Sequence, residues 1–93
     1  MGFNKESAVQ RAKADLAGRL SMDENDISTV SVSEEDFPDM SLGAPAGDEM
    51  SAQMISSGWQ IELSAGGKTY DYRADKYQLR LKAFNGKNHV IVS

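Results

Sequence analysis

Few residues in this 93-residue chain can do chemistry: it has one histidine, no cysteine and fourteen carboxylates. His89 is the single imidazole, so any histidine-based nucleophile activation or proton transfer has to pass through it. It falls in NHVIVS near the C-terminus, a run that reads as an edge strand, where a histidine is ordinarily a surface residue. No catalytic residue is expected. The acidic run DENDISTVSVSE, residues 23–34, places Asp23, Asn25 and, at its twelfth position, Glu34 in faint imitation of a calcium loop. It departs where specificity resides, with Ile27 at a ligand position and Ser28 in place of the turn glycine. Met40, Met50 and Met54 offer soft sulfur of the kind Cu(I) takes, but methionine more commonly fills irregular gaps in a core. Neither a metal nor a cofactor is expected.

Charge is strongly polarised along the chain. Residues 1–20 carry four basic and two acidic groups, residues 21–62 carry ten acidic and no basic ones, and residues 63–93 carry six basic and two acidic ones, for a net charge of −4. In the last block Lys68, Arg73, Lys76, Arg80, Lys82 and Lys87 interleave with Tyr70, Tyr72 and Tyr77, a mixture that suits single-stranded nucleic acid. The acidic middle would repel phosphate, so no nucleic-acid partner is expected, and the tyrosines read as cross-strand pairs. The absence of cysteine removes any disulfide framework and leaves the compartment open. The start, MGFNKESAVQ, lacks the apolar core of a signal peptide, and no apolar run approaches the roughly 20 residues that span a bilayer. Membrane insertion is not expected.

These residues need positioning elements. KESAVQRAKADLAGRL, residues 5–20, spaces Val9, Ala12, Leu16 and Leu20 by three and four, giving one apolar stripe with Lys5, Arg11, Asp15 and Arg19 facing out. Asn4 is a candidate N-cap, and Ser21 with Glu24 suggests a capping box for a short second turn. ISTVSVS puts Val30 and Val32 on one face. WQIELS, KTYDYRA and YQLRLKAF alternate with period two, the last sending Leu79 and Leu81 inward and Arg80 and Lys82 outward. Gly66-Gly67 and Asn85-Gly86 are two-residue hairpin signals, and SAQMIS at 51–56 offers a further short strand. The sum is one α+β domain over residues 1–93, with an N-terminal helix on an antiparallel sheet of four or five strands and a long Pro/Gly-containing loop at about 36–58.

AVQRAKADLAGRL, an acidic turn, a Val-rich strand, FPDMSLGAP and GWQIELSAGGKTYDYRAD together resemble a small, largely uncharacterised bacterial α+β domain. Its members run helix, strand, an aromatic-Pro-Asp-x-Ser-Leu-Gly-Cys-Pro segment and a hairpin ending near Tyr-x-Tyr. The resemblance covers roughly residues 7–75, and Phe37–Pro45 is its most specific part. In outline the chain is also similar to PepSY-like and cystatin-like domains. Ala44 stands where those relatives often carry cysteine, which removes any thiol role. The resemblance implies exported or cell-surface relatives and brings no established activity.

FPDMSLGAP itself combines both prolines with apolar residues that have no periodicity. One reading is a compact loop whose Phe37, Met40, Leu42, Met54 and Ile55 plug the open face of the sheet. A compatible one is a rigid loop presented to a partner, stiffened by Pro38 and Pro45. The functional expectation is a non-enzymatic binding or accessory module, with a peptidase-inhibitor-like version. It would engage a protein or peptide through loop 37–50 or a sheet edge, at Asp39, Ser41, Ala46, Gly47, Asp48 and Glu49. The alternative is a structural, self-associating domain that pairs through its C-terminal edge strand, residues 88–92.

Overall fold

A computed structural model of the protein describes residues 2–47, 49–50 and 52–92. The helix α1 spans Lys5–Leu20. Asn4 caps it as the sequence suggests, its side chain accepting from the Ser7 amide at 2.8 Å while Ser7 Oγ accepts from the Asn4 amide at 2.9 Å. The buried stripe is Ala8, Ala12, Leu16 and Ala17, so Val9 and Leu20 move to its margins. Small side chains at 8, 12 and 17 let the helix axis lie close to the sheet, which a Val/Leu stripe would hold away. Asp15, expected to face out, instead accepts from the Tyr72 hydroxyl at 2.8 Å and from Arg19 Nε at 2.7 Å. Burial, reinforced by this bond to a carboxylate, pushes the Tyr72 phenol well above its ordinary pKa. Ser21 ends the helix in the left-handed region at φ 54, and Asp23 rather than Ser21 caps the 3-10 turn Glu24–Asp26.

Five strands follow: β1 Ser28–Phe37, β2 Ser56–Ala65, β3 Lys68–Asp75, β4 Leu79–Phe84 and β5 Lys87–Val92. They form one antiparallel meander in chain order, so β1 and β5 are its edges. This is the α+β arrangement expected, with five strands. Gly66 and Gly67, at φ 58 and 79, turn β2 into β3, and Asn85 and Gly86, at φ 52 and 77, turn β4 into β5. Both are the left-handed pairs that match strand twist in a hairpin. Ile61, Leu63, Tyr72, Ala74, Leu79 and Leu81 face α1 and close the main core.

Three local expectations give way. Val30 and Val32 do not share a face, because the register slips between Thr29 and Ser31 and leaves Val30 53% exposed in the bulge. Of SAQMIS only Ser56 enters a strand, and Ser51 lies outside the described residues. Arg80 does leave the helix side, but it is 4% exposed, since the other face of the sheet is covered as well.

Candidate functional site

The cover is the described part of the loop after β1, residues 38–47 with Glu49, which lies on the face of the sheet opposite α1. A loop packed on a sheet brings its own backbone carbonyls into a dry contact, where each needs a donor. Polar side chains from the sheet supply them. Gln78 Nε2 donates to the Met40 carbonyl at 2.6 Å, Arg73 Nη1 to Leu42 at 2.9 Å and Arg80 Nη1 to Ala44 at 3.1 Å. Asn88 Nδ2 on β5 donates to Pro45 at 2.9 Å. Four carbonyls in six residues are thus held by side chains from β3, the following turn, β4 and β5. Between these bonds Phe37, Leu42 and Ala44 are buried outside the main core. Phe37 and Leu42 lie inside as expected.

The loop is also braced from within. Asp39 accepts from the Ser41 amide at 2.9 Å, from the Ser41 hydroxyl and from the Gly43 amide at 3.2 Å. The Ser41 hydroxyl and then the Gly43 amide hold the Asp39 carboxyl below its ordinary pKa, against the opposing effect of burial. This tight turn needs Leu42 and Gly43 in the left-handed region, at φ 58 and 69. A Cβ on Gly43 would also lie 2.6 Å from Arg73 Nη1, so the clamp and the glycine require each other. At the far end Glu49 receives both terminal nitrogens of Arg80, one at 2.9 Å, and accepts from the Ala46 amide at 3.2 Å. The guanidinium keeps the Glu49 carboxyl below its ordinary value. Arg80 Nε in turn donates to Gln78 Oε1 at 2.7 Å. Gln78 is seated by Asp75, whose carboxylate accepts from the Gln78 and Tyr77 amides and from Ser56 Oγ.

The six residues singled out from sequence therefore divide. Asp39 and Ser41 brace the loop from inside, with Ser41 only 1% exposed. Ala46, Gly47 and Glu49 lie on the outer rim, and Asp48 lies outside the described residues. Sequence reasoning missed Arg73, Gln78, Arg80 and Asn88, which fix the site from β3, the turn after it, β4 and β5, all distant in the chain. Met54 and Ile55, expected to plug the sheet, are instead exposed, because the clamp fills that face with Leu42 and Ala44. With Met50 at 97%, Ile55 at 74%, Tyr77 at 73% and Met54 at 63% exposure, the rim of the loop carries large apolar side chains in water. The bond between Ser56 and Asp75 brings the Ile55 and Tyr77 segments to the same end of the sheet.

His89 lies on β5, half-buried, edge-on to Phe84 at 5.8 Å with Nε2 3.3 Å from the Phe84 carbonyl. Among the described residues no three His, Asp or Glu side chains gather where they could hold a metal. Residues 24–26 form a 3-10 turn and 28–37 a strand, so the calcium-like run is not a loop. Among the described residues no helix is long and apolar enough to cross a membrane. The part of the open face that the loop leaves bare forms a polar groove of about 300 Å³ between Ser31, Ser33, Gln60, Glu62, Thr69 and Asp71. The clamp is an arrangement that fixes a surface. No curated protein matches the chain, and no solved structure does. The family described as "Domain of unknown function (DUF8738)" matches residues 9–82, from within α1 through most of β4, and the chain belongs to it.

Proposed function

We propose that the protein is a non-enzymatic binding or accessory module that engages a protein or peptide through the outer rim of loop 37–50. One observation carries this reading. The loop is fastened by four side-chain bonds to its carbonyls, while Met50, Met54 and Ile55 stay in water on the segment that returns from it. A rigid loop loses little entropy on binding, and exposed apolar side chains supply the driving force. Neither nucleic acid nor a membrane enters this proposal. An exported or cell-surface setting does, supported by the resemblance that FPDMSLGAP carries.

Selection of displayed peptides on the wild-type protein, with counter-selection on the folded M54D/I55D double variant, tests it. Enriched peptides that bind wild type and not the variant are expected, and no enrichment in several libraries would count against the rim. The peptidase-inhibitor-like version has its own check: no effect on proteases of several classes at micromolar concentration would remove it. A second reading, self-association through β5, is favoured by its position at the sheet edge and by Val90 being 36% exposed. A monomer by light scattering at high concentration would remove that one.

A further inference from the structure

The opposite edge of the sheet has a different character. β1 is ten residues long against six for β5, and its outer side pairs with nothing among the described residues. Every second residue of such a strand turns its N–H and C=O outward. Proteins usually guard such an edge with a short strand, a lysine, a proline or a bulge. β1 has neither lysine nor proline, and its one bulge lies near its start, so the ladder runs in unbroken register from Ser31 to Phe37. What it carries instead is Glu34, Glu35 and Asp36, all exposed. None of the three has a basic partner within 4 Å among the described residues, and Asp36 only accepts from Ser57 Oγ at 2.8 Å. On the open face the edge continues into the 300 Å³ groove, where Glu62 accepts weakly from Ser31 Oγ at 3.5 Å. On the helix face, half-buried Val32 and Trp59 provide apolar ground beside Glu34.

We infer that the β1 edge accepts an extended basic segment of a partner protein as a sixth strand. Ladder bonds along Ser31–Phe37 set its register. Lys or Arg side chains lie toward Glu35 and Glu62 on the open face and toward Glu34 and Asp36 on the helix face, where apolar ones lie over Val32 and Trp59. Charge chooses this occupant over a second copy, because two β1 edges would bring their acidic triplets together. The inference goes beyond the loop reading and uses a different surface.

Trp59, the chain's one tryptophan, pairs with Glu34 directly behind this edge and reports on it. The test titrates the full chain, at micromolar concentration, with an acetylated peptide of about eight alternating lysines and valines, a length that spans the ladder. Saturable change in Trp59 emission is expected, with amide shifts confined to Val32–Phe37 and affinity that falls as salt rises. The same peptide N-methylated at every amide, and one with glutamate in place of lysine, are expected not to bind. E34Q/E35Q/D36N should bind about tenfold more weakly, since steering and register both rest on these charges, while M54D/I55D should bind unchanged. Undiminished binding of the N-methylated peptide, absence of binding at millimolar peptide, or a β1 edge occupied by a second copy would each overturn the inference. Loss of binding in M54D/I55D would overturn it too, by moving the peptide to the loop rim.

Discussion

Arg80 follows the pattern YQLRLKAF outward from the helix side, as alternation requires, and then meets the Ala44 carbonyl, Gln78 Oε1 and the Glu49 carboxylate. Period-two alternation states which face a strand residue takes, but not whether that face is covered. The residue's role was therefore hidden, while Gly66-Gly67 and Asn4 were legible because their signals are local. Arg80→Met keeps bulk and removes every one of these donors, leaving the Ala44 carbonyl unpaired in a dry contact. Such a loss costs about 2 kcal/mol, combining missing charge-assisted bonds with an orphaned acceptor. Urea denaturation of wild type and variant measures it. Arg80→Lys should recover only part, since an ammonium cannot span the three acceptors as the planar guanidinium does. A loss below about 0.5 kcal/mol in the methionine variant would mean that the clamp adds no net stability.

At the scale of the element, the loop behaves as a third layer of the fold, built from residues that have no period of their own. FPDMSLGAP marked itself by proline, glycine and unpatterned apolar residues, so its burial was readable in part. The positions of Met54 and Ile55 were not, because composition alone cannot say which apolar residues win a limited face. Two carboxylates govern this layer, and both are held below their ordinary pKa, Asp39 by the Ser41 hydroxyl and Gly43 amide and Glu49 by Arg80. A carboxyl whose folded pKa is depressed stabilises the fold fully above its unfolded value, and that contribution is lost as pH falls through the folded value. The loop should thus be tight at neutral pH and loosen as acid protonates it, below the ordinary values of 3.8 for Asp39 and 4.5 for Glu49. Hydrogen exchange, corrected for its intrinsic pH dependence, should show the Gly43 and Ala46 amides losing protection before those of β3. Glu49→Gln should remove the acid sensitivity at Ala46 and leave that at Gly43. Equal protection of both amides from about pH 5 to about pH 2 would contradict this account of the loop.

Over the whole molecule, the polarised charge of the sequence has a clear spatial outcome at one border among the described residues. The basic C-terminal third meets the acidic middle where Arg80 binds Glu49, whereas Glu34, Glu35 and Asp36 along β1 have no basic partner within 4 Å among the described residues. Chain order could not disclose this, since pairing depends on which strands become edges. An open ten-residue edge on a protein of net charge −4 calls for an account of what keeps copies apart. Antiparallel pairing of two β1 edges would set Glu34, Glu35 and Asp36 of one copy near those of the other, and like charges facing each other across a ladder oppose pairing. Neutralising them in E34Q/E35Q/D36N removes that repulsion while leaving the backbone groups available. The triple variant should then self-associate more strongly than the wild type by sedimentation at high concentration and low salt. Added salt should narrow the difference by screening the wild-type charges, whose range is about 10 Å at 0.1 M. A triple variant that remains monomeric at millimolar concentration would show that the edge is closed for another reason, and that twist or the bulge at Thr29–Ser31 guards it rather than charge.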